Sequence, residues 1–219
     1  MSVALKYTEQ YIFMRYPQMS GVTMKKSEKT REFILSCCAP IFNQKGFVGT
    51  SFADLEQGTG LTKGCIYGLF NSKEQLAVEC FEYARALIHE RMDCEARGKE
   101  NAIEKLRAIF DIYRAFPDYW PIKGGCPILN TSTEADDTNP LLQARVVKAL
   151  ETWRRFFASI ITKGIRSGEI KPETNSNMTA TLFIALLEGA TMMTKAYNDS
   201  SSLGVVLDHI DAMIHQMKV

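Results

Sequence analysis

The residues from Thr59 to Leu76 have the types and spacing that suggest chemistry most directly. Gly60 can take the positive φ that a tight corner between two helices requires. Thr62 offers the side-chain oxygen that caps a helix, and Lys63 follows in the first turn. A capped helix start presents backbone N–H groups and a positive dipole end, which suit phosphate oxygens. The pattern therefore predicts a helix-turn-helix, in which the second helix enters the major groove of DNA.

Eight residues in and around this stretch are predicted DNA contacts, because each offers a hydroxyl, a cation or room for close approach. Lys63 can reach a phosphate or the O6 and N7 atoms of guanine. Cys65 is small enough to touch a base edge, while Tyr67 can donate its hydroxyl to a phosphate as its ring packs on the next helix. The predicted contacts are Thr50, Ser51, Thr62, Lys63, Gly64, Cys65, Tyr67 and Lys73. Spacing alone is also compatible with a helical turn in a protein that never binds DNA.

Charge is distributed in the sense that this interpretation requires. The 219 residues are 46% hydrophobic and 23% charged, with a net charge of +1, which is ordinary for one or two globular domains. Residues 25–73 carry seven Lys or Arg against four Asp or Glu, whereas residues 74–219 carry seventeen against twenty. The small positive excess lies on the segment with the predicted DNA contacts, as binding to phosphates favours. No run of eighteen apolar residues exists, so we expect no transmembrane helix and a cytoplasmic protein.

The six cysteines and three histidines indicate neither a metal site nor a disulfide framework. Their spacing contains no C-x-x-C and no zinc-ligand pattern, so we expect reduced cysteines, no metal and no cofactor. A thiol enzyme would need a base beside a cysteine. No pattern pairs a cysteine with His89, His209 or His215, so enzymatic activity is not expected.

Helical periodicity continues from Lys29 almost to the C-terminus, with no convincing strand pattern, and predicts an all-α fold of about nine to ten helices. Residues 1–26 form an N-terminal extension whose tyrosines could pack on the body or approach DNA. Residues 27–73 are predicted to form a three-helix DNA-binding domain, and residues 74–219 are predicted to form a second helical domain. The first helix should be irregular at Pro40 and end at Lys45-Gly46. Long helices are expected over residues 141–167 and 177–197, and a last helix over 205–216.

The segment from Gly46 through Thr50-Ser51 and Thr59–Tyr67 to Phe70–Leu76 resembles the N-terminal signature of the TetR family of bacterial transcriptional regulators, over residues 27–88. The resemblance implies an all-helical homodimer that binds DNA, in which residues 74–219 form a divergent domain for ligand binding and dimerisation. Two positions depart from the family pattern. Gly58 stands where alanine is usual, which should loosen the second helix. Gly68 stands where an aromatic residue or histidine often contacts DNA, so that contact is missing here.

The resemblance also implies that the last two long helices pair with those of a second copy in a four-helix bundle. A dimer would set two recognition helices on successive major-groove faces of a palindrome. Leu150, Trp153, Phe157 and Ile161 form an apolar stripe on the first of these helices. Part of the stripe is expected to face the second copy, although it would also suit the core of its own chain.

The effector site is predicted from apolar residues that surround a few polar ones. Asn130 and Glu188 are the most informative, because each is polar among apolar neighbours. The predicted pocket residues are Trp120, Cys126, Asn130, Trp153, Phe156, Phe183, Leu187, Glu188 and Met192, although ordinary core packing would explain each of them as well.

Cys126 suggests a second way to sense a signal. Lys123 to Asn130 resembles a Gly-Cys-x-x-x-Asn segment found in one branch of the family. Cys126 opens a helix, where the dipole would lower the pKa of its thiol, but a free cysteine is also a small hydrophobic residue. The leading hypothesis is therefore a ligand-responsive repressor that leaves a palindromic operator when a small molecule binds. The alternatives are a redox or electrophile sensor that acts through Cys126, an adaptor that has lost DNA binding, and a thiol enzyme.

Overall fold

The computed structural model describes residues 25–116, 118 and 120–219, and its regular structure within these ranges is nine α-helices. The helices are α1 (Lys26–Gly49), α2 (Phe52–Thr59), α3 (Lys63–Tyr67), α4 (Lys73–Arg97), α5 (Ala102–Arg114), α6 (Pro127–Ala135), α7 (Pro140–Arg166), α8 (Ser176–Tyr197) and α9 (Ser201–Met217). The all-α prediction is confirmed, and both long helices begin and end within a residue or two of their predicted limits. The prediction for the tyrosines of residues 1–24 lies outside the described residues.

The first helix is irregular at Gly46 and not at the predicted Pro40. Pro40 lies inside α1, while Gly46 has φ 75° and ψ 174°, dihedrals that are not helical. This conformation belongs almost exclusively to glycine. The last residues of α1 therefore leave the helix axis, which brings the backbone of Phe47 and Val48 against α6.

The helices α1, α2 and α3 share a small apolar core with the start of α4. Leu55 and Ile66 are buried, and Leu61 packs against the same cluster, as the sequence predicts. Arg31 of α1 forms an ion pair with Glu79 of α4 and donates to the backbone oxygen of Leu69 at 2.6 Å. These contacts fix the helix-turn-helix on the long helix that follows it.

The remaining helices enclose a core of aromatic and aliphatic side chains. The rings of Phe110 and Phe157 stack with centres 5.4 Å apart, and Phe183 meets Phe110 edge-on at 4.9 Å. Trp153 and Leu106 are buried beside them. This packing joins α5, α7 and α8 into one body. No helix of the described residues is long and apolar enough to cross a membrane.

Candidate nucleic-acid interface and effector site

The helix-turn-helix corner is built from local hydrogen bonds that the sequence specifies. The Ser51 hydroxyl accepts from the Asp54 amide at 3.2 Å, and the Asp54 carboxylate accepts from the Ser51 amide at 2.8 Å. Gly60 ends α2 with φ 69° and ψ 12°, in the left-handed region that favours glycine. The Thr62 hydroxyl then caps α3 by accepting from the Cys65 amide. The predicted cap at Thr62 and the predicted glycine corner at Gly60 are confirmed.

Lys63 is held at the start of α3 by three neighbouring side chains. Its backbone N–H donates to the Glu56 carboxylate at 2.6 Å. Its ammonium lies 4.5 Å from the ring centre of Phe52 and 5.7 Å from that of Tyr67, within the range of cation–π attraction. The Lys63 amide is therefore not free to face a phosphate, contrary to the prediction for this helix start. The exposed Lys63 side chain keeps its charge at the surface.

The outer side of α3 is small and open. Gly64, Cys65 and Gly68 are all exposed, and a Cβ added to Gly64 would meet no other atom within 4 Å. The Tyr67 ring lies 5.2 Å from that of Phe52, so it packs on the preceding helix α2. The absence of a side chain at Gly64 leaves the backbone of α3 accessible for a close approach.

Two of the predicted DNA contacts are engaged inside the protein. Thr50 is 1% exposed, and its hydroxyl donates to the Gly46 oxygen at 2.6 Å. The Lys73 ammonium donates to the Phe47 oxygen at 2.6 Å and lies 4.5 Å from the Phe47 ring. Both residues stabilise the irregular end of α1. Thr50 is corrected from a phosphate contact to a structural residue because its hydroxyl is buried and already bonded.

Glu134 of α6 holds the same end of α1 from the other side. Its two carboxylate oxygens accept from the Phe47 amide at 2.8 Å and from the Val48 amide at 2.9 Å. A Cβ on Gly46 would lie only 2.6 Å from these oxygens. The contact joins the last residues of α1 to α6 across 86 or 87 residues of sequence. Sequence reasoning missed it, because nothing near Glu134 in the chain indicates this partner.

Asn130, a predicted pocket residue, forms a second link between α6 and α1. Its side-chain NH2 donates to the Asn43 backbone oxygen at 2.9 Å and to the Gly124 oxygen at 2.8 Å. Its side-chain oxygen accepts from the Lys195 ammonium at 2.8 Å. The Asn43 side chain donates in turn to the oxygens of Lys123 and Gly125. Asn130 is thus fully engaged in holding α1, α6 and α8 together.

Four residues form a polar cluster beside the start of α6, which we name the Glu188 cluster: Tyr113, Trp120, Cys126 and Glu188. Both carboxyl oxygens of Glu188 and the Tyr113 hydroxyl are buried without a conventional hydrogen-bond partner among the described residues. The Cys126 thiol lies beside the carboxyl group and is a weak donor to it. Burial raises the pKa of Glu188 to about 7, and the thiol offsets this only in part.

The thiol of Cys126 does not have the character of a reactive cysteine. Cys126 is 1% exposed, and burial, together with the neighbouring Glu188, raises the pKa of its thiol well above the ordinary value. The sequence prediction expected the opposite direction from the start of α6. Desolvation and the carboxyl group outweigh the helix dipole here.

The other predicted pocket residues separate into core and surface. Trp153, Phe183 and Leu187 are buried in the packed core, and Phe156 is partly buried with its ring 5.1 Å from that of His89. Met192 is 55% exposed, so it is corrected from a pocket residue to a surface residue. The helical period predicted its element correctly but not the direction in which it points.

The helices α7 and α8 present an open apolar groove on the surface. It is lined by Val147, Leu150, Glu151, Arg154, Thr181, Ile184 and Ala185. Leu182 and Met178 lie exposed along the same helix α8. Of the predicted apolar stripe, Leu150 lines this groove, whereas Trp153, Phe157 and Ile161 are buried in the core of their own chain.

Known families and solved structures match both parts of the chain. The model described as "Bacterial regulatory proteins, tetR family" matches residues 34–80, and "Tetracyclin repressor-like, C-terminal domain" matches residues 102–210. A TetR-family transcriptional regulator from Cytophaga hutchinsonii is 34% identical with a TM-score of 0.85, covering 90% of this chain and 99% of that one. The chain belongs to the TetR family of transcriptional regulators.

Other members of the TetR family agree in architecture. A TetR transcriptional regulator from Chloroflexus aurantiacus J-10-FL is 38% identical with a TM-score of 0.84, covering 89% of this chain and 98% of that one. The HTH-type transcriptional repressor DhaR from Mycobacterium sp. (strain GP1) is 22% identical over 170 residues, which are 75% of this chain and 82% of that protein. The match of the N-terminal family model to residues 34–80 covers α2 and α3, so this region carries the helix-turn-helix. The chain is therefore a DNA-binding regulator of transcription.

Proposed function

We propose that this chain is a ligand-responsive repressor that binds a palindromic operator as a homodimer and leaves it when a small molecule binds the C-terminal domain. The observation that supports the proposal most is the form of α3. A capped helix with an open outer side carries an exposed lysine at its start, on a corner fixed by Gly60. The relative DhaR is named as a repressor, which agrees with this direction of regulation.

In this proposal the outer side of α3 contacts DNA through a small set of groups. Lys63 supplies a cation to phosphate or guanine, and its contacts with Phe52 and Tyr67 limit where the ammonium can go. Gly64 and Cys65 allow the helix to approach the base edges, and Ser51 and Thr62 lie at the two helix starts. Lys73 contributes positive charge from its place on Phe47.

The proposed dimer interface is the groove between α7 and α8 together with the exposed side chains around it. Leu182 is 43% exposed, Val147 49% and Met178 59%. A concentration of exposed apolar side chains along two neighbouring helices, here α7 and α8, is typical of an interface with a second copy. A dimer formed through this groove would carry two α3 helices, one for each half of a palindromic operator. Substituting Leu182 with Asp should give a monomer in size-exclusion chromatography with light scattering, without loss of helical content.

The proposed route of release runs through α6. Cys126 of the Glu188 cluster directly precedes this helix, and Asn130 and Glu134 of the helix form hydrogen bonds to α1. A ligand that displaces the start of α6 would pull on the Phe47 and Val48 amides, which lie a few residues before the Ser51 cap of α2. A coupling free energy of about 1–3 kcal/mol between the two sites is enough for a useful switch.

Selection from randomised DNA tests the proposal and does not require the operator sequence. The purified full chain is incubated with random duplexes at moderate salt, and the affinities of the enriched sequences are measured by fluorescence anisotropy. We expect enriched sequences with two inverted half-sites. Enrichment of no sequence, with equal affinity for all duplexes, would contradict the proposed function.

A further inference from the structure

Glu188 is a carboxyl group without the partner that burial ordinarily requires. Both of its oxygens are buried and unpartnered among the described residues, and the neighbouring Cys126 thiol is a weak donor. A buried acid without a strong donor destabilises the folded protein unless another group supplies one. A cationic ligand with N–H donors would satisfy both oxygens at once.

The ring of Tyr113 lies near this carboxyl group and is the first of three aromatic rings that contact one another in series. Tyr113 lies close enough to Glu188 for their charges to interact, and its ring is 4.9 Å from that of Trp120. Phe116 meets Trp120 edge-on at 5.1 Å. Aromatic faces attract cations as well as apolar groups. Trp120 and Glu188 are each only partly buried as whole residues, although the carboxyl oxygens of Glu188 are buried.

The nearby positive side chain is engaged elsewhere. The ammonium of Lys195 donates to the Gly124 oxygen at 2.7 Å and to the Asn130 side-chain oxygen at 2.8 Å. An anionic ligand at Glu188 would face a carboxyl group and would have to compete for this lysine. With Lys195 engaged, the acid of Glu188 is the ionisable group that the cluster offers to a ligand.

We propose that the effector is a cationic amine with an apolar body, and that its ammonium group binds the Glu188 carboxylate within the Glu188 cluster. The apolar body contacts the Tyr113 and Trp120 rings. This inference rests on the proposed function, because it names the chemical class of the ligand to which the repressor responds. Binding replaces an unpartnered buried acid with a charge-assisted hydrogen bond.

Three matched probes test the proposal on the full chain: phenylbutylamine, phenylbutanol and phenylbutanoate. They share an aromatic body and differ in charge, so isothermal titration calorimetry without DNA compares a cation, a neutral donor and an anion. We expect the amine to bind at least about tenfold more tightly than the other two. Equal affinities, tightest binding of the carboxylate, or no binding of the amine up to its solubility limit would overturn the proposal.

A matched pair of variants assigns the preference to Glu188. Glu188→Gln keeps the shape and removes the charge, and should abolish the preference for the amine. Glu173→Gln removes an exposed carboxylate next to α8 and should leave the preference unchanged. An amine preference that survives in Glu188→Gln would overturn the assignment. Should Glu188→Gln fail to fold, the probe comparison on the unaltered chain still decides the charge class.

The calorimetry and the DNA selection can fail independently. Loss of amine binding with an intact operator contradicts the ligand class and leaves the repressor proposal standing. Amine binding without operator recognition contradicts the proposed function and leaves the site at Glu188. In the expected case, the amine lowers operator affinity in the unaltered chain, and Glu188→Gln retains its operator affinity when the amine is added.

Discussion

Two carboxyl groups near opposite ends of α6 have opposite surroundings. Near the end of the helix, Glu134 accepts two backbone hydrogen bonds, from Phe47 and Val48. At its start, the buried oxygens of Glu188 have no conventional partner among the described residues. The first arrangement resembles a structural joint, because every acceptor is used. The second leaves hydrogen-bonding capacity unused in a buried site, which is typical of sites that await a ligand.

The difference also separates the two halves of the molecule. The DNA-binding half depends on local caps and on two links to α6, through Glu134 and Asn130, and its polar groups are largely paired. The C-terminal half contains further buried polar atoms without a partner among the described residues, including Nε1 of Trp153 and Oγ1 of Thr191. We therefore expect changes at the joint to affect folding of the DNA-binding half, and changes at Glu188 to affect pH dependence and ligand response.

Gly46→Ala should produce the largest loss of stability. The new Cβ would lie 2.6 Å from the Glu134 carboxylate at a φ of 75°, so both the backbone and the joint must move. We expect a loss of about 4 kcal/mol in the free energy of unfolding, measured by urea denaturation. Gly98→Ala is the control, because φ at Gly98 is −85° and the space around it is open. Equal effects of the two substitutions would argue against the joint.

Glu188→Gln should change how stability depends on pH. The pKa of Glu188 is raised from 4.5 to about 7 in the folded state, so the folded protein holds this proton more tightly than the unfolded chain. Its stabilising contribution is complete below pH 4.5 and is lost as the pH rises to 7, by about 3 kcal/mol. The variant should therefore unfold at a higher temperature than the unaltered chain at pH 8. At pH 4.5 the difference should be much smaller.

A matched control makes the pH result specific to Glu188. Glu173 is an exposed carboxylate beside α8, and Glu173→Gln should follow the unaltered chain at every pH. The stability difference between Glu188→Gln and the unaltered chain could instead be the same at every pH. That result would contradict a buried, unpartnered carboxyl group at Glu188.

Glu134→Ala should have a smaller effect on stability and a specific effect on DNA binding. The substitution leaves the amides of Phe47 and Val48 without an acceptor, and Val48 is exposed enough for water to replace the carboxylate. We expect a loss of about 2 kcal/mol in unfolding free energy. Operator affinity should fall, and the remaining affinity should respond less to the effector. An unchanged response would exclude α6 as the route of coupling.

Lys63→Ala should have the smallest effect on stability, and its main consequence should be weaker DNA binding. Its side chain is exposed and lies on Phe52 and Tyr67, so the free energy of unfolding should change by less than about 1 kcal/mol. Operator affinity should fall by about tenfold, and the salt dependence of binding should decrease by about one phosphate contact per subunit. Thr50→Val is the comparison, because Thr50 is buried. It should lower stability and leave the salt dependence unchanged.

What the sequence predicts well in this chain is local in the chain. The caps at Ser51 and Thr62, and the positive φ of Gly60, depend on partners within four residues, so the residue types predict them. The role of Lys73 depends on Phe47, 26 residues away, and that of Asn130 on Asn43, 87 residues away. Such partners follow from tertiary packing.

The candidate effector site shows the same limit in another form. The polar character of Glu188 among apolar neighbours identified it from the sequence, and the structure buries its carboxyl oxygens. Tyr113 was missed, although it lies on the apolar face of α5, because a tyrosine at such a position resembles ordinary core. Met192 was misplaced because a helical period alone does not distinguish a core-facing from an outward-facing methionine.

A comparison of the affinity for a full palindrome with the affinity for a single half-site tests whether two copies of the α3 surface bind one operator. The measurement uses a sequence from the random selection, at one salt concentration, with the stoichiometry read at saturation. We expect two chains per full palindrome and an affinity for the half-site that is lower by about a hundredfold or more. Equal affinities for the two duplexes, with one chain bound to each, would contradict it.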